Sequence, residues 1–321
     1  MTARYIFRRL LHVVPAVAAI LVVTFLVIHL APGDPVIAIA GEDGDQAYYD
    51  LMRSKYGLDR SLPAQFLTYV GNVAQGDLGV SYVQGRSVAG LIAERLPATL
   101  LLMVSALTLS TLAGIGLGAL AARRPFGSFD LAVTSTALVS YAVPTFWLAQ
   151  LAILVVAYRT GFFPLAGMTD VREQYTGLAH LLDVARHLVL PALVLAASEV
   201  ALMARSTRTG LIQESGKDYV TVARAKGLSS RRVLVRHALP NALLPVVTII
   251  GTRVGFLFSG AVIVETVFAW PGMGSLIVGA AEDIDHPVLL GLVLLVALTV
   301  VFANLLTDLV YAWIDPRIRY Q

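Results

Sequence analysis

Residues 286–307 read HPVLLGLVLLVALTVVFANLLT, a run without a single charged side chain. A helix needs about 20 consecutive apolar residues to cross the roughly 30 Å hydrocarbon core of a bilayer. Further charge-free runs cover residues 10–33, 96–122 and 131–158. Lipid offers the backbone no hydrogen-bond partners, and these runs lack the alternation of barrel strands. We therefore interpret them as membrane-spanning helices.

Two weaker runs complete the set of predicted spans. Residues 187–204 are apolar apart from Glu199, and residues 243–264 are apolar apart from Arg253. The sequence therefore predicts an all-α, polytopic membrane protein that forms a single transmembrane domain over residues 1–321. The predicted spans are about 10–31, 97–122, 131–157, 187–204, 243–264 and 287–313.

Composition excludes several other classes of protein. The 321 residues are 57% hydrophobic and only 14% charged, whereas soluble domains carry roughly 25% charged residues. The chain has no cysteine, which excludes disulfides, thiolate metal sites and cysteine nucleophiles. Its six histidines have no metal-ligand spacing, so no metal site is expected. No phosphate-binding GxxxxGK[ST] motif occurs, and the glycines of Gly114–Gly118 lie inside an apolar span, where they favour close helix packing.

The first apolar run has two interpretations. Arg4, Arg8 and Arg9 precede it, as they would in a cleaved export signal. The run is longer than the 7–15 residues of a signal peptide, however, and no small-residue cleavage site follows it. We expect a retained helix.

The distribution of basic residues predicts the orientation of the chain. Residues 205–240 carry eight basic and two acidic side chains, whereas residues 265–286 carry four acidic and no basic ones. Basic excess alternates with neutral or acidic loops along the chain, and the positive-inside rule places basic loops in the cytoplasm. Both termini are therefore predicted to be cytoplasmic. The long segment 32–95, with amphipathic stretches at 46–56 and 62–75, is predicted to be external.

The basic loop contains an elbow, which we define as residues 214–240. Ser215 followed by Asp218 predicts a helix start, and Gly227 predicts a left-handed helix end. Ser229 or Ser230 then begins a second helix. We expect an apolar face and a basic face. The apolar face carries Tyr219, Val220, Val222, Ala223 and Leu228, and the basic face carries Arg224, Lys226, Arg231, Arg232 and Arg236. A basic loop can rest on anionic headgroups, but an apolar face outside lipid favours docking on a protein.

The elbow resembles the cytoplasmic signature loop of importer-type ABC permeases. That pattern is Glu-Ala-Ala, three residues, Gly, nine residues and Ile-x-Leu-Pro; Gly227, Ala223, Leu239 and Pro240 match it, while its Glu and Ile positions are Thr221 and His237. Collinear segments extend the resemblance over nearly the whole chain. They are Leu30–Pro35, Tyr56–Pro63, Gly76–Ser81, Glu265–Gly274 and Asp315–Arg319, and they are similar to the B-type permease subunits of dipeptide, oligopeptide and nickel importers.

The resemblance implies partners and a mechanism. A homologous second permease subunit, two ATP-binding subunits and an extracytoplasmic solute-binding protein are expected in the bacterial inner membrane. No cofactor is expected in this chain, since ATP and Mg²⁺ bind to the ATPase subunits, and no nucleic acid is expected to bind. The implied ATPase-coupling residues are Asp218, Tyr219, Ala223, Ala225, Lys226, Gly227, Leu239 and Pro240. We expect Gly227→Pro, or a bulky residue at position 223, to uncouple transport from ATP hydrolysis.

Charged residues inside the predicted spans form a second group of candidates. Glu199, Arg253 and Asp308 lie in apolar runs, where a charge is costly and usually faces a bundle interior or a wet path. They are expected either to lock the last three spans together by ion pairing or to line the translocation path. A third group, with an expected role at the outer gate, comprises Glu265, Pro271, Gly272 and Gly274.

Other functions remain as alternatives. The same architecture serves nickel chelates and other small solutes, and substrate choice is expected to lie in the binding protein. A secondary transporter would show internal repeats, which we do not find between residues 1–160 and 161–321. An intramembrane hydrolase would need a paired catalytic constellation within the spans, whereas Asp308 is the only aspartate there. No catalytic residues are predicted, and the chain itself is not expected to be an enzyme.

Overall fold

The structure of the chain is a computed structural model. It describes residues 3–30, 36, 45–55, 57–173 and 175–314. Within these ranges, only the backbone is described for residues 3–10, 12, 28–30, 256 and 308–314. Residues 31–35 of the collinear segment Leu30–Pro35 and all of the segment Asp315–Arg319 lie outside the described residues. The chain divides into two compact units, one formed by Met1–Thr99 and Pro271–Leu305 and the other by Leu100–Trp270 and Leu306–Gln321.

The first unit contains the N-terminal helices and most of the last two helices. Its elements are α1 (Ala3–Leu30), α2 (Gln46–Lys55), α3 (Leu62–Ala74), the start of α4 (Val88–Ala121), α12 (Met273–Glu282) and most of α13 (His286–Ile314). The amphipathic helices predicted at 46–56 and 62–75 are therefore confirmed as α2 and α3.

The second unit is built around the longest helix. Its elements are the rest of α4, α5 (Ser128–Ala142), α6 (Thr145–Leu151) running into a π-helix (Ala152–Tyr158), α7 (Gly177–Ser215), α8 (Asp218–Ala225), α9 (Ser230–Val233) running into a π-helix (Leu234–Ala238), α10 (Leu239–Ala242) and α11 (Leu244–Val267). An isolated antiparallel bridge between Val80 and Ser87, in the first unit, is the only β-pairing among the described residues.

The all-helical fold agrees with the sequence, but the count of six spans stays a prediction. By length and composition, 3 described helices can cross a membrane: α4, α7 and the stretch His286–Thr307 of α13. The count rises to 5 if each of two bent pairs is one span. In α1 the described apolar part, Val13–Val27, is shorter than a full crossing.

The third predicted span is not one straight helix. Helix α5 ends at Ala142, and the chain turns by 104° before the helical stretch Thr145–Tyr158. Pro144 lies at this break and precedes the first helical residue. Proline lacks a backbone N–H and disfavours helical geometry in the residue before it, which explains why a continuous helix over 131–157 does not form.

In the first unit, a buried carboxylate holds two distant segments together. Asp285, just before α13, accepts a hydrogen bond of 2.5 Å from the Ser81 hydroxyl and one of 3.2 Å from the Tyr82 amide. Nearby, a β-carbon on Gly291 would lie 2.6 Å from a methyl carbon of Val88, so α13 approaches α4 closely there. Phe25 of α1 packs edge-on against Phe66 of α3, with their ring centroids 5.3 Å apart.

In the second unit, glycines bring α4 against α7. A β-carbon on Gly118 would lie 2.5 Å from the Ala204 carbonyl oxygen, and one on Gly114 would overlap the side chain of Met203. Gly116, on another face of the same helix, has nothing within 4 Å of such an atom. The predicted packing role of the Gly114–Gly118 segment is thus confirmed.

This difference between the glycines gives a stability test on one helix. We expect Gly118→Ala and Gly114→Ala each to destabilise the protein by about 1–3 kcal/mol, because the added methyl group overpacks the α4–α7 contact. The measurement is thermal unfolding of the purified chain in detergent. Gly116→Ala is the matched control, and we expect it to be neutral or slightly stabilising, since alanine is the better helix former. Equal melting temperatures for all three variants would contradict the packing role.

Candidate functional site

The elbow folds as two short helices around a glycine turn. Helix α8 begins at Asp218 and ends at Ala225, followed by Lys226 and then by Gly227 with φ 81°. The left-handed turn predicted at Gly227 is confirmed. Ser229 has extended geometry and precedes the next helix, as expected. The helix cap predicted at Ser215 is wrong, because that residue ends α7 and Lys217 takes the cap position, although the next helix does begin at Asp218.

One side of α8 is part of the elbow's own core. Val220 is 1% exposed and Ala223 is 6% exposed. They pack with buried residues of α7 and of the following helices, while Leu228 and Leu239 pack partly buried against this cluster. The buried partners are Leu211, Val233, Ala238 and Ala242. The predicted apolar face is therefore divided, since Val220 and Ala223 point into this chain and away from any partner.

The outer side of α8 remains open. Val222 is 52% exposed, and its neighbours Thr221 and Ala225 are exposed as well. All five side chains of the predicted basic face are exposed: Arg224, Lys226, Arg231, Arg232 and Arg236. Asp218 and Pro240 are also exposed. The exposed surface of the elbow thus combines small or apolar side chains with basic ones, a pattern that suits docking to a protein surface.

Tyr219 connects the two ends of the elbow. Its hydroxyl donates a hydrogen bond of 2.5 Å to the Glu214 carboxylate at the end of α7. The same oxygen accepts a hydrogen bond of 3.1 Å from the Asn241 side-chain amide in α10. Lys217 also contacts Glu214, at 2.5 Å. Burial and the hydrogen bond to Glu214 raise the pKa of the Tyr219 phenol, so it stays a protonated donor at neutral pH.

Two of the three predicted charges inside the spans lie together. The Arg253 Nε atom on α11 is 3.5 Å from the Glu199 Oε2 atom on α7. Glu199 is 7% exposed, and its Oε2 atom accepts no hydrogen bond among the described residues. The pair is an ion contact between two helices in a buried setting. Asp308 lies in α13, and its side chain falls outside the described residues.

The residues predicted at an outer gate belong to two different units. Glu265 lies near the end of α11 and is fully buried, and its carbonyl oxygen accepts a hydrogen bond of 2.8 Å from the Trp270 amide. In the other unit, Pro271 and Gly272 precede α12, which Gly274 helps to begin. There the Met273 amide donates a 2.7 Å hydrogen bond to the Thr99 hydroxyl, which anchors the start of α12 to α4.

An ion pair near the elbow was not predicted. Arg208 of α7 holds the Asp130 carboxylate with two nitrogens, one contact measuring 2.6 Å. Asp130 is 3% exposed and also accepts a 2.7 Å hydrogen bond from the Phe126 amide. The Arg208 guanidinium lies 5.8 Å from the Phe126 ring centroid. Arg208 belongs to the basic loop, but nothing local in the sequence points to a partner 78 residues away.

Known protein families match nearly the whole chain. Residues 114–320 match the family described as binding-protein-dependent transport system inner membrane component. Residues 2–103 match its N-terminal counterpart. The chain belongs to this family. It is an integral, multi-pass subunit of a transport system in the bacterial inner membrane, and it is not an enzyme.

Relatives of this inner membrane component align along their full length. The chain is 39% identical to the oligopeptide transport system permease protein AppB of Bacillus subtilis, and the alignment covers 99% of this chain and 100% of the relative. It is 38% identical to the dipeptide transport system permease protein DppB of Escherichia coli K12, over 99% of each chain.

A solved structure supports the fold of this inner membrane component. The chain resembles the MetNI methionine ABC transporter in an inward-facing crystal form, with a TM-score of 0.56 and 16% sequence identity. The match covers 70% of this chain and 96% of the other. The family match and the full-length relatives confirm the resemblance to importer-type permeases found in the sequence.

The ion contact between Glu199 and Arg253 predicts how single and double substitutions change the stability of the protein. Arg253→Met leaves Glu199 buried beside an apolar group, and removing one partner of a buried pair costs about 3–5 kcal/mol. Glu199→Gln together with Arg253→Met should recover most of that loss, because no buried charge remains. The measurement is thermal unfolding of the single and double variants. Additive losses would contradict a direct interaction between the two side chains.

The left-handed geometry of Gly227 predicts which substitutions the elbow tolerates at this position. At φ 81° a β-branched residue is strained, so we expect Gly227→Val to cost about 1–3 kcal/mol. Gly227→Asn should cost less, because asparagine adopts left-handed geometry more readily. Protease sensitivity of the elbow and thermal unfolding measure the effect. Gly216→Ala is the control, since Gly216 has φ −87° and room for a β-carbon. Equal behaviour of the valine and asparagine variants would argue against a conformational role.

Proposed function

We propose that this chain is a permease subunit of an ATP-driven ABC importer that moves dipeptides or oligopeptides into the cell. The observation that carries the proposal is the elbow, an outward docking surface built on the end of a long buried helix. The relatives named above are permeases for oligopeptides and for dipeptides. A further relative, 38% identical, is the glutathione transport system permease protein GsiC of Escherichia coli. Peptide-like solutes are common to these names.

The proposed assembly contains four kinds of subunit. A homologous second permease completes the path, two ATPase subunits bind at the cytoplasmic side, and an external binding protein delivers the solute. In this chain six helices span the bilayer, with both termini and the elbow in the cytoplasm. The excess of basic residues in 205–240 supports this orientation. ATP and Mg²⁺ bind to the ATPases.

The elbow would couple ATP binding to motion through α7. Docking on an ATPase involves the outer side of α8 around Val222 and Ala225, with the basic rim setting the orientation. The apolar core under α8 and the hydrogen bond from Tyr219 to Glu214 tie α8 to the end of α7. A displacement of the docked ATPase is thereby passed to α7. The ion contact from Glu199 to Arg253 then links α7 to α11.

The spans carry two further parts of the proposal. Glu199 and Arg253 hold α7 and α11 together beside the solute path, and Asp308 contributes to the same lock or path. The residues Glu265, Pro271, Gly272 and Gly274 shape the outer gate. Glu265 lies in the last turn of α11, and Pro271, Gly272 and Gly274 lie at the start of α12, which supports a structural role for these residues.

Substitutions on the two sides of α8 separate docking from folding. We expect Val222→Glu to leave the melting temperature unchanged and to reduce peptide uptake by about tenfold or more, since a buried charge at an interface costs at least 1.4 kcal/mol. Ala223→Leu, by contrast, should lower the melting temperature, because Ala223 lies in the elbow core. The measurements are ATP-dependent peptide uptake into vesicles and recovery of ATPase subunits with the tagged chain.

Two outcomes would contradict this proposal. Normal uptake and ATPase recovery in Val222→Glu would remove the docking role of α8. Purification of a chain that transports solute without ATP and without ATPase subunits would remove the importer assignment itself. Thr221→Ser serves as the control, since it changes an exposed neighbour on α8 without adding charge.

A further inference from the structure

A groove of 580 Å³ lies between α5 and α7, entirely within the second unit. We call it the α5–α7 groove. Its walls are mostly apolar and include Val133, Ala137 and Leu138 of α5 and Ala201 of α7. Arg205 and Thr209 of α7 line one end, and Tyr141 of α5 lines the other. The groove therefore presents a long apolar surface that ends at a cation and a hydroxyl.

Arg205 is the cation that is available in this groove. Its side chain is exposed, and it forms no hydrogen bond or ion pair within the part of the chain that the structure describes. The neighbouring Arg208 also lines the groove, but its guanidinium is already held by Asp130. An exposed, unpaired arginine next to an apolar surface favours an amphipathic anion as ligand.

The length of the groove matches one leaflet of a bilayer. From Val133 to Tyr141, which line it on α5, the helix rises about 12 Å. One leaflet of the hydrocarbon core is about 15 Å thick. Toward Asp130 the groove is followed by the basic pair Arg123 and Arg124, and past Tyr141 it is followed by the sharp bend of the chain. In the orientation proposed above, the groove runs from a basic, interfacial level toward the middle of the membrane.

We propose that the α5–α7 groove binds one phospholipid of the cytoplasmic leaflet. Its phosphate contacts Arg205 and Thr209, and an acyl chain lies along Val133, Ala137 and Leu138. This inference rests on the orientation given in the proposed function, since it places Arg205 at the cytoplasmic headgroup level. A hydrated peptide suits the groove less well, because its backbone groups would lose hydrogen bonds to water against these apolar walls.

A bound phospholipid would also bear on the mechanism. It would fill the space between α5 and α7 next to the pair formed by Arg208 and Asp130. The acyl chain would then stabilise the packing of α5 on the helix that carries the elbow. Membrane composition would thereby influence the element through which ATP-driven motion is passed.

The test measures phospholipid retention by the assembled transporter. The transporter is purified with its co-purifying subunits, supplied with phosphatidylglycerol, and mildly delipidated, and retained lipid is counted by native mass spectrometry. We expect wild type to retain one lipid per chain in this site. Arg205→Gln should retain about tenfold less, as a lost charge-assisted contact predicts, and Arg205→Lys should retain more than Arg205→Gln. Ala137→Phe should also lose the lipid, because the ring fills the groove.

A matched control separates a site from general attraction to headgroups. Arg123 is exposed and lies on the same predicted side outside the groove. We expect Arg123→Gln to retain the lipid as wild type does. An equal loss in Arg123→Gln, or no retained lipid in wild type, would overturn the proposal. Peptide uptake by a transporter that retains no lipid would refute the groove assignment while leaving the proposed function intact.

Crosslinking identifies the occupant even if Arg205→Gln fails to assemble. The chain has no cysteine, so Tyr141→Cys, at the end of the groove away from Arg205, gives a unique attachment point on this chain for a maleimide-linked benzophenone. Irradiation in nanodiscs that contain phosphatidylglycerol should give an adduct of phospholipid mass on this chain. A crosslink to the second permease subunit or to added peptide, in place of lipid, would overturn the proposal.

Discussion

Close approach of neighbouring helices to α7 is what holds the second unit together. Lipid tails are as apolar as the helices, so helices in a bilayer associate chiefly through van der Waals packing, and small residues allow that packing. Gly118 of α4 meets α7 at Ala204, and Gly260 of α11 meets it at Leu195. Farther along, Gly210 of α7 itself lies against the backbone of Ala242 in α10. Side chains at these positions would separate α7 from its neighbours.

The elbow follows from the same helix. Helix α7 continues beyond its apolar segment, and its last turns supply Leu211 to the elbow core and Glu214 to the hydrogen bond from Tyr219. The helix is about 58 Å long from Gly177 to Ser215, well above the roughly 30 Å needed to cross lipid. In the proposed function, a surface outside the membrane is therefore continuous with a buried segment within it. That continuity would be the physical basis for coupling a docking event to the spans.

Local patterns predicted the parts of this protein that depend on local energetics. The apolar runs predicted the long helices, Gly227 predicted a left-handed turn, and the amphipathic stretches predicted α2 and α3. The prediction was wrong where a neighbouring element decides the outcome. Ser215 has the residue type of a helix cap, but it is the last residue of α7, which packs into the elbow core at Leu211. The apolar side chains of α8 were assigned to one docking face, whereas Val220 and Ala223 are buried in the chain's own core.

The all-helical membrane class, the positions of the main apolar helices and the importer-type family can be read from the residues, because hydropathy, length and motif order are properties of the chain alone. The open side of α8, the contact between Glu199 and Arg253, and the pairing of Asp130 with Arg208 emerge only when the helices pack. Such pairings depend on the rotation and register of helices that are distant in sequence. Those are set by the packing of whole helix faces, and no local pattern encodes them.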